Sequence, residues 1–423
     1  MKMKEETKQG LELIESYGWG TLGTHDPTII KEDDFYYMFS TDTHIDNAPT
    51  EGAQIRKSKD LIHWDYVGTA LKAVPKEAKE WSEALGLWAP EVINYKGRYY
   101  MYYSASTFGS TVSCIGLATA DHLEGPWCDQ GIVLKTNPEI ATHNAIDANV
   151  VIDKYGEYWL CYGSFFGGIY LVRLNMETGM PVADDGYGTL LAIRPKEVEG
   201  AIEGAFIIYN STFDYYYLFT SYDSLHDSYN IRVARSKEIT GPYVDVNGKN
   251  MIDTEDEPHT IGVKLVGSYQ FEHDIAWIGP GHNSIFSEKN KQFMVHHVRL
   301  EEFSPYHYGF IRELFWLMSG WPVVSPEYYY YHTETRNYSV LDLLGDWEYI
   351  SFDEDRRVKH SKRFSLKEDS LTKIDSLGDN QFTFVDRNFE FVIFPVKDWK
   401  NNIETIAFSG LTKSGDTIFG KRV

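Results

Sequence analysis

NAIDANVVIDKYGEYWLCYGSFFGG, Asn144 to Gly168, holds the unit on which most of the 423-residue chain is built. A lone polar residue opens a short apolar strand, a polar turn follows, and an aromatic strand returns. Four other stretches repeat it: HDPTIIKEDDFYYMFSTD from His25, PEVINYKGRYYMYYSAS from Pro90, IEGAFIIYNSTFDYYYLFTSYD from Ile202 and GHNSIFSEKNKQFMVHHVR from Gly281. The opening residues are Asp26, Glu91, Asp147, Glu203 and His282, at spacings of 65, 56, 56 and 79 residues. Self-similarity at such a period marks an array of β units and not one open sheet.

Outward from each copy lies a second strand pair: QIRKSKDLIHWDYVG from Gln54, IGLATADHLEGPWCDQG from Ile115, IYLVRLNMETGMPV from Ile169, IRVARSKEITGPYVDVNG from Ile231 and GFIRELFWLMSGWPVVS from Gly309. Two strands plus two make a four-stranded blade, so the chain is predicted to be all-β, with a five-bladed β-propeller over residues 17–331. Residues 1–16 read as a charged helix or frayed arm, and PKEAKEWSEAL from Pro75 as a helix between blades. After PVVSPEYYYYHTETRNYS the repeat stops. Short strands such as LLGDWEYISF and DNQFTFVDRNFEFVIFPV then predict a small C-terminal β-barrel-like domain over 337–423.

A formal net charge of -22 argues against nucleic acid or an anionic membrane as partner. No apolar run reaches the length of a membrane span. The opening MKMKEETKQGLELIESYGWG lacks the apolar core of a signal peptide, which makes the chain cytoplasmic as written, or extracellular if a signal has been removed. Three cysteines, Cys114, Cys128 and Cys161, make no disulfide framework. A monomer is expected. Aromatics at 15% of residues exceed an ordinary core's need, and the excess divides between propeller strands and platforms for sugar rings.

In a propeller the innermost strands line a central channel, so the five opening residues should converge there. Such a ring is costly as scaffolding, because carboxylates brought together disfavour one another's ionised forms. Taken singly, Asp26 before Pro27 reads as a turn residue and Asp147 as a cap, while Glu203 sits near Gly200 and Gly204, where the chain can approach a ligand. Taken together they suit glycosidic cleavage. Carboxylates facing across a channel leave room for a water, which favours inversion. Asp26 is then the general base, Glu203 the general acid, and Asp147 the like charge that keeps the acid protonated.

The ordered set HDPTIIK, LWAPEV, STFGS, NAIDANV, YGSFFGGI, IEGAFI, ITGPY, GPGHNSIF and FMVHHVR, spanning roughly Trp19 to Ser325, resembles the arabinanase branch of glycoside hydrolase family 43. That resemblance implies a five-bladed propeller acting with inversion, with Asp26 as base, Glu203 as acid and Asp147 as pKa modulator. NAIDANV with STFGS and GSFFGG is most similar to endo-acting 1,5-α-L-arabinanases, and the trailing β module to two-domain members of that group. It also implies a central metal, usually calcium, reached by His282 and otherwise held mostly by water. Chemistry alone reads His282 as a satisfied turn or core histidine and would not name calcium, which prefers oxygen ligands.

Trp88, Phe108, Phe165 and Phe166 are candidate walls of a sugar cleft, because a furanose presents C–H faces to aromatics. His25, Asn149 and Ser164 are candidate polar partners for its hydroxyls. Each could instead pack between blades. Glu91 reads as a structural carboxylate. His296 and His297 are not at metal-ligand spacing, and in a strand one of the two must point away from the channel. The leading expectation is an endo-1,5-α-L-arabinanase acting on arabinan or arabino-oligosaccharides. An exo-acting α-L-arabinofuranosidase or β-xylosidase on the same scaffold is the alternative, and a non-catalytic carbohydrate-binding propeller the third.

Overall fold

Five antiparallel meanders follow one another in the computed structural model, which describes residues 4–43, 51–332 and 336–423. The first blade runs through Thr28–Glu32, Phe35–Ser40, Gln54–Ser58 and Asp65–Thr69. The second uses Trp88–Tyr95, Arg98–Ala105, Ser113–Ala120 and Cys128–Thr136. Third-strand residues Ser113–Ala120 are all buried while outer strands such as Asp65–Thr69 stay wet, because adjacent blades cover both faces of the inner strands. Local chemistry sets the hairpins. Lys96 and Gly97, both at positive φ (53° and 83°), form the two-residue turn that matches strand twist. Gly116 has a different reason: a Cβ there would fall 2.2 Å from the Tyr103 ring.

The third and fourth blades differ from expectation at their outer edges. In the third, Asn149–Ile152, Tyr158–Tyr162 and Ile169–Asn175 are followed by an edge divided between Met180–Pro181 and Thr189–Ala192, so GMPV supplies only one end. In the fourth, Ile202–Asn210, Tyr215–Tyr222 and Asn230–Ser236 pair on to Val263–Val266, and ITGPYVDVNG is an excursion whose backbone pairs with the sheet at the Arg235–Val244 bridge. Pro242 cannot donate to a ladder, which keeps that segment out of regular pairing. The fifth blade is Ile278–Glu288, Lys291–Arg299, His307–Trp316 and Pro322–Val324.

The ring closes through the start of the chain. The Gly23 amide donates to the His307 carbonyl at 2.9 Å and the Gly309 amide to Thr21 at 3.1 Å, laying residues 21–23 along the fifth blade. The N-terminal segment is a helix, Glu5–Tyr17, tied to that blade by Thr7 on Glu301 (2.7 Å) and by Tyr308 on Glu15 (3.1 Å). A short helix over Lys76–Ser82 stands where PKEAKEWSEAL predicts it.

The C-terminal region is a seven-stranded antiparallel sheet in the order Lys362–Leu366, Gly345–Phe352, Thr417–Arg422, Ile403–Thr412, Phe389–Asp398, Gln381–Phe384, Ile374–Gly378. It shares a core with the propeller: Phe394 stacks on Phe315 at 4.1 Å and the Trp399 indole donates to the Tyr328 carbonyl. Beside these rings Lys421, 5% exposed, lies 2.9–3.2 Å from Glu327, Asp274 and Asp398. Burial works against its charge, but the three acids outweigh burial and raise its pKa. Lys421→Met strands those acids and is expected to cost about 3–5 kcal/mol of stability. Denaturant unfolding measures this, and kcat below the transition should be unchanged; an undiminished midpoint would show that the cluster does not join the two sheets.

Candidate active site

The entry to each inner strand carries a backbone kink. Asp26, Ala89, Asp147, Gly204 and His282 have φ of 49°, 40°, 61°, 58° and 50°, the left-handed region. Such conformations persist where neighbours over-determine them. Here each kinked amide meets a side chain of the preceding blade: Ala89 donates to Thr41 (2.8 Å), Asp147 to Ser104 (2.9 Å), Gly204 to Asp147 (3.2 Å), His282 to Ser221 (2.7 Å) and Asp26 to His297 (3.4 Å). This register corrects the equivalence read from sequence. Ala89, not Glu91, stands at the ring position of the second blade, and Glu203 precedes its kink by one residue.

Glu91 lies two residues deeper, buried, accepting from Thr28 (2.9 Å) and Asn149 (2.9 Å). Burial pushes it up to about 7 against those hydrogen bonds. Asn149 is 1% exposed, with its other amide end accepting from Ile207 N–H. Both ends of that side chain are therefore committed to joining blades, and neither faces a sugar cleft.

Asp26, its side chain 11% exposed, is surrounded by donors: Thr41 Oγ1 at 2.5 Å, His25 Nδ1 at 2.9 Å and His282 Nδ1 at 3.1 Å. Burial would raise its pKa, but His25, His282 and His297 outweigh burial and hold it well below the usual carboxylate range. Glu203 accepts from Ser164 Oγ (2.7 Å) and the Tyr229 hydroxyl (2.8 Å). Asp147 is buried and pushed up to about 7 by that burial; His282 opposes the rise, while the charges of Glu203 and Asp26 add to it. Gly204 permits the crowding, since a Cβ there would lie 3.0 Å from His282. One carboxylate is thus kept ionised, and a second pair resists ionising together.

His282 donates through Nδ1 to Asp26, leaving Nε2 without a protein partner among the described residues. The adjacent Asn283 is buried with neither amide atom paired. An imidazole whose other nitrogen is fixed by a carboxylate is the usual arrangement of a ligating histidine. The free His282 nitrogen beside the unpaired Asn283 amide is the donor set available to a cation at this point.

Of the remaining sequence candidates, His25 and Ser164 are hydrogen-bonded to the two carboxylates themselves. Trp88 and Phe165 are half-buried at the rim, Phe166 is exposed, and Phe108 is 79% exposed. Sequence reading missed Thr41 and Tyr229, and it set His297 aside with His296. His297 is buried, stacks on His25 at 3.7 Å and lies 3.5 Å from Asp26; His296, on the opposite face, receives Arg312 at 2.9 Å. Strand alternation demanded that one of the pair face the channel, and the small-polar residues Thr41, Ser104 and Ser221 at the ends of second strands were the readable trace of the kink pattern.

The family model for glycosyl hydrolases family 43 matches residues 21–322, and one for a C-terminal lipocalin-like domain matches 326–420. The extracellular endo-alpha-(1->5)-L-arabinanase 2 of Bacillus subtilis is 31% identical, over 95% of this chain and 93% of that protein. The crystal structure of endo-1,5-alpha-L-arabinanase from Thermotoga petrophila superposes with a TM-score of 0.81 at 30% identity, covering 96% of this chain and 99% of the other. Cellvibrio cellulosa alpha-L-arabinanase complexed with arabinohexaose gives a TM-score of 0.62 at 31% identity, over 71% and 95%.

Proposed function

The chain belongs to the glycosyl hydrolases of family 43, and from that premise we propose that it is an inverting endo-1,5-α-L-arabinanase. It is a glycoside hydrolase; the linkage, the stereochemistry and the residue roles are the proposal. The observation that carries it is the contrast between Asp26, held ionised among histidines, and Asp147, which burial and the charges of Glu203 and Asp26 push up to about 7 beside the Glu203 carboxyl.

Asp26 as base takes a proton from a water, whose oxygen attacks the anomeric carbon. Glu203 as acid delivers its proton to the departing O5 of the next arabinose, and the α linkage yields a β-anomer. Ser164 and Tyr229 hold the Glu203 carboxyl in place, and Asp147 fixes the neighbouring Gly204 amide while opposing a second negative charge. His282 would hold a calcium ion through Nε2; when bound, such an ion supplies positive charge to the channel. The substrates are arabinan and arabino-oligosaccharides, as in the relatives' names, which also support the extracellular alternative of location.

Debranched arabinan sampled early tests the reading. Mixed oligosaccharides before monomer, with the β-anomer appearing first by NMR, are expected. Arabinose alone from the outset would replace it with an exo enzyme, and release from arabinoxylan only would reject the substrate. The pH profile follows from the same groups. Because burial pushes Asp147 up to about 7, its ionisation there adds a negative charge to the ring, and kcat/KM should change as pH rises through about 7. No acid limb from Asp26 should appear until well below its ordinary value of about 4. Asp147→Asn removes that titrating carboxyl, so the change near pH 7 should disappear; an unaltered profile would take Asp147 out of the scheme.

A further inference from the structure

The loops joining second to third strands stand at the same end of the ring as the catalytic carboxylates, since Ser164 and Tyr229, from two of them, bond Glu203. Three of these loops present rings that meet. Phe108 from the second blade reaches His226 of the fourth, ring centroids 6.2 Å apart, and His226 stacks on Phe303 of the fifth at 5.7 Å and 15°. The second and fourth blades are not neighbours, so this contact crosses the channel face. We propose that Phe108, His226 and Phe303 form an aromatic bridge over the cleft that admits unbranched 1,5-linked arabinan and turns away chains carrying side branches.

The two ends of the bridge are built differently. On the fourth and fifth blades the rings are fixed. The Phe303 amide donates to the His226 carbonyl at 2.8 Å, and Phe303 is locked at φ 57°. Arg299 ties both loops together, donating to Leu225 O (2.9 Å) and Ser304 O (2.7 Å), and reaches His25 at 3.3 Å beside Asp26. The fixed half is thus keyed to the base. Burial and the Arg299 charge lower the pKa of His226, keeping it a neutral stacking ring. On the second blade Phe108 is an arm, 79% exposed, next to Gly109 at φ 78° with open space around it. Large exposed apolar side chains cost free energy in water. Phe303, 62% exposed, and Phe108 share that cost where a sugar's C–H face can cover them.

A single-file chain passes beneath such a bridge, whereas a furanosyl branch on the 2- or 3-hydroxyl adds width where the rings meet. Discrimination by shape in an apolar slot is worth about tenfold to a hundredfold. This rests on the arabinanase reading, and the test separates the two. kcat/KM is measured on debranched and on branched arabinan for wild type, Phe108→Ala, His226→Ala and the double variant. Wild type should prefer the debranched chain by at least about tenfold, each single variant should erase most of that ratio, and the double variant should add little, because either change opens the same bridge. Equal wild-type rates on both polymers overturn the bridge alone. Variants that lose activity equally on both, with the ratio intact, also overturn it and leave the rings as plain cleft walls. A wild type inactive on both polymers removes the arabinanase reading and the bridge with it. Melting temperatures accompany each variant, so that the ratio is read only from folded protein.

Discussion

Glu203→Gln should lower kcat on debranched arabinan by about 10³-fold, within the range that general acid catalysis supplies. The reason lies in the leaving group. An arabinan O5 departs as an alkoxide of high pKa unless it is protonated, and Gln has no proton to give at that point. The substitution keeps the size of the side chain and one acceptor for Ser164 or Tyr229, whose hydroxyls lie 2.7 and 2.8 Å from the carboxylate. Stability should therefore change little. An aryl arabino-oligosaccharide separates this role from mere binding, because a nitrophenolate leaves without help. The variant should recover most of its lost rate there, and an equal loss on both substrates would remove Glu203 from the acid's place.

Asp26→Asn is the opposite case. In the proposed mechanism Asp26 takes the proton from water, a step needed whatever leaves, so activity should fall by about 10³-fold on polymer and aryl substrate alike. Its surroundings make the effect specific. Thr41, His25 and His282 all point donors at the two oxygens, an arrangement that suits an anion and cannot be satisfied equally by an amide. Some destabilisation accompanies the chemical loss, so the melting temperature is measured beside kcat. A variant that cleaves aryl substrate at wild-type rate would show that Asp26 is not the base.

The two expectations differ in how they fail, which is why they are paired. Loss of the acid depends on the leaving group and loss of the base does not. A non-catalytic sugar-binding propeller would show neither effect, since each substitution would then change affinity alone.

The sequence by itself determined the repeat, its five copies and the separate β region after them, because alternation of apolar and polar residues is a local property written in each strand. It also carried Asp26, Asp147 and Glu203, whose positions before apolar strands are unusual for carboxylates. Only the tertiary structure decided the register of the ring. Ala89 and not Glu91 occupies the kink of the second blade, because the kink is fixed by a hydroxyl on the preceding blade, here Thr41, 48 residues away. The same holds for the outer strand of the fourth blade, supplied by Val263–Val266 after a long excursion. It holds for His297, brought against His25 and Asp26 from the far end of the propeller by ring closure. Phe108 and His226 meet for that reason too: side chains on non-adjacent blades touch only once five blades have closed around one axis, and no periodicity along the chain encodes that distance.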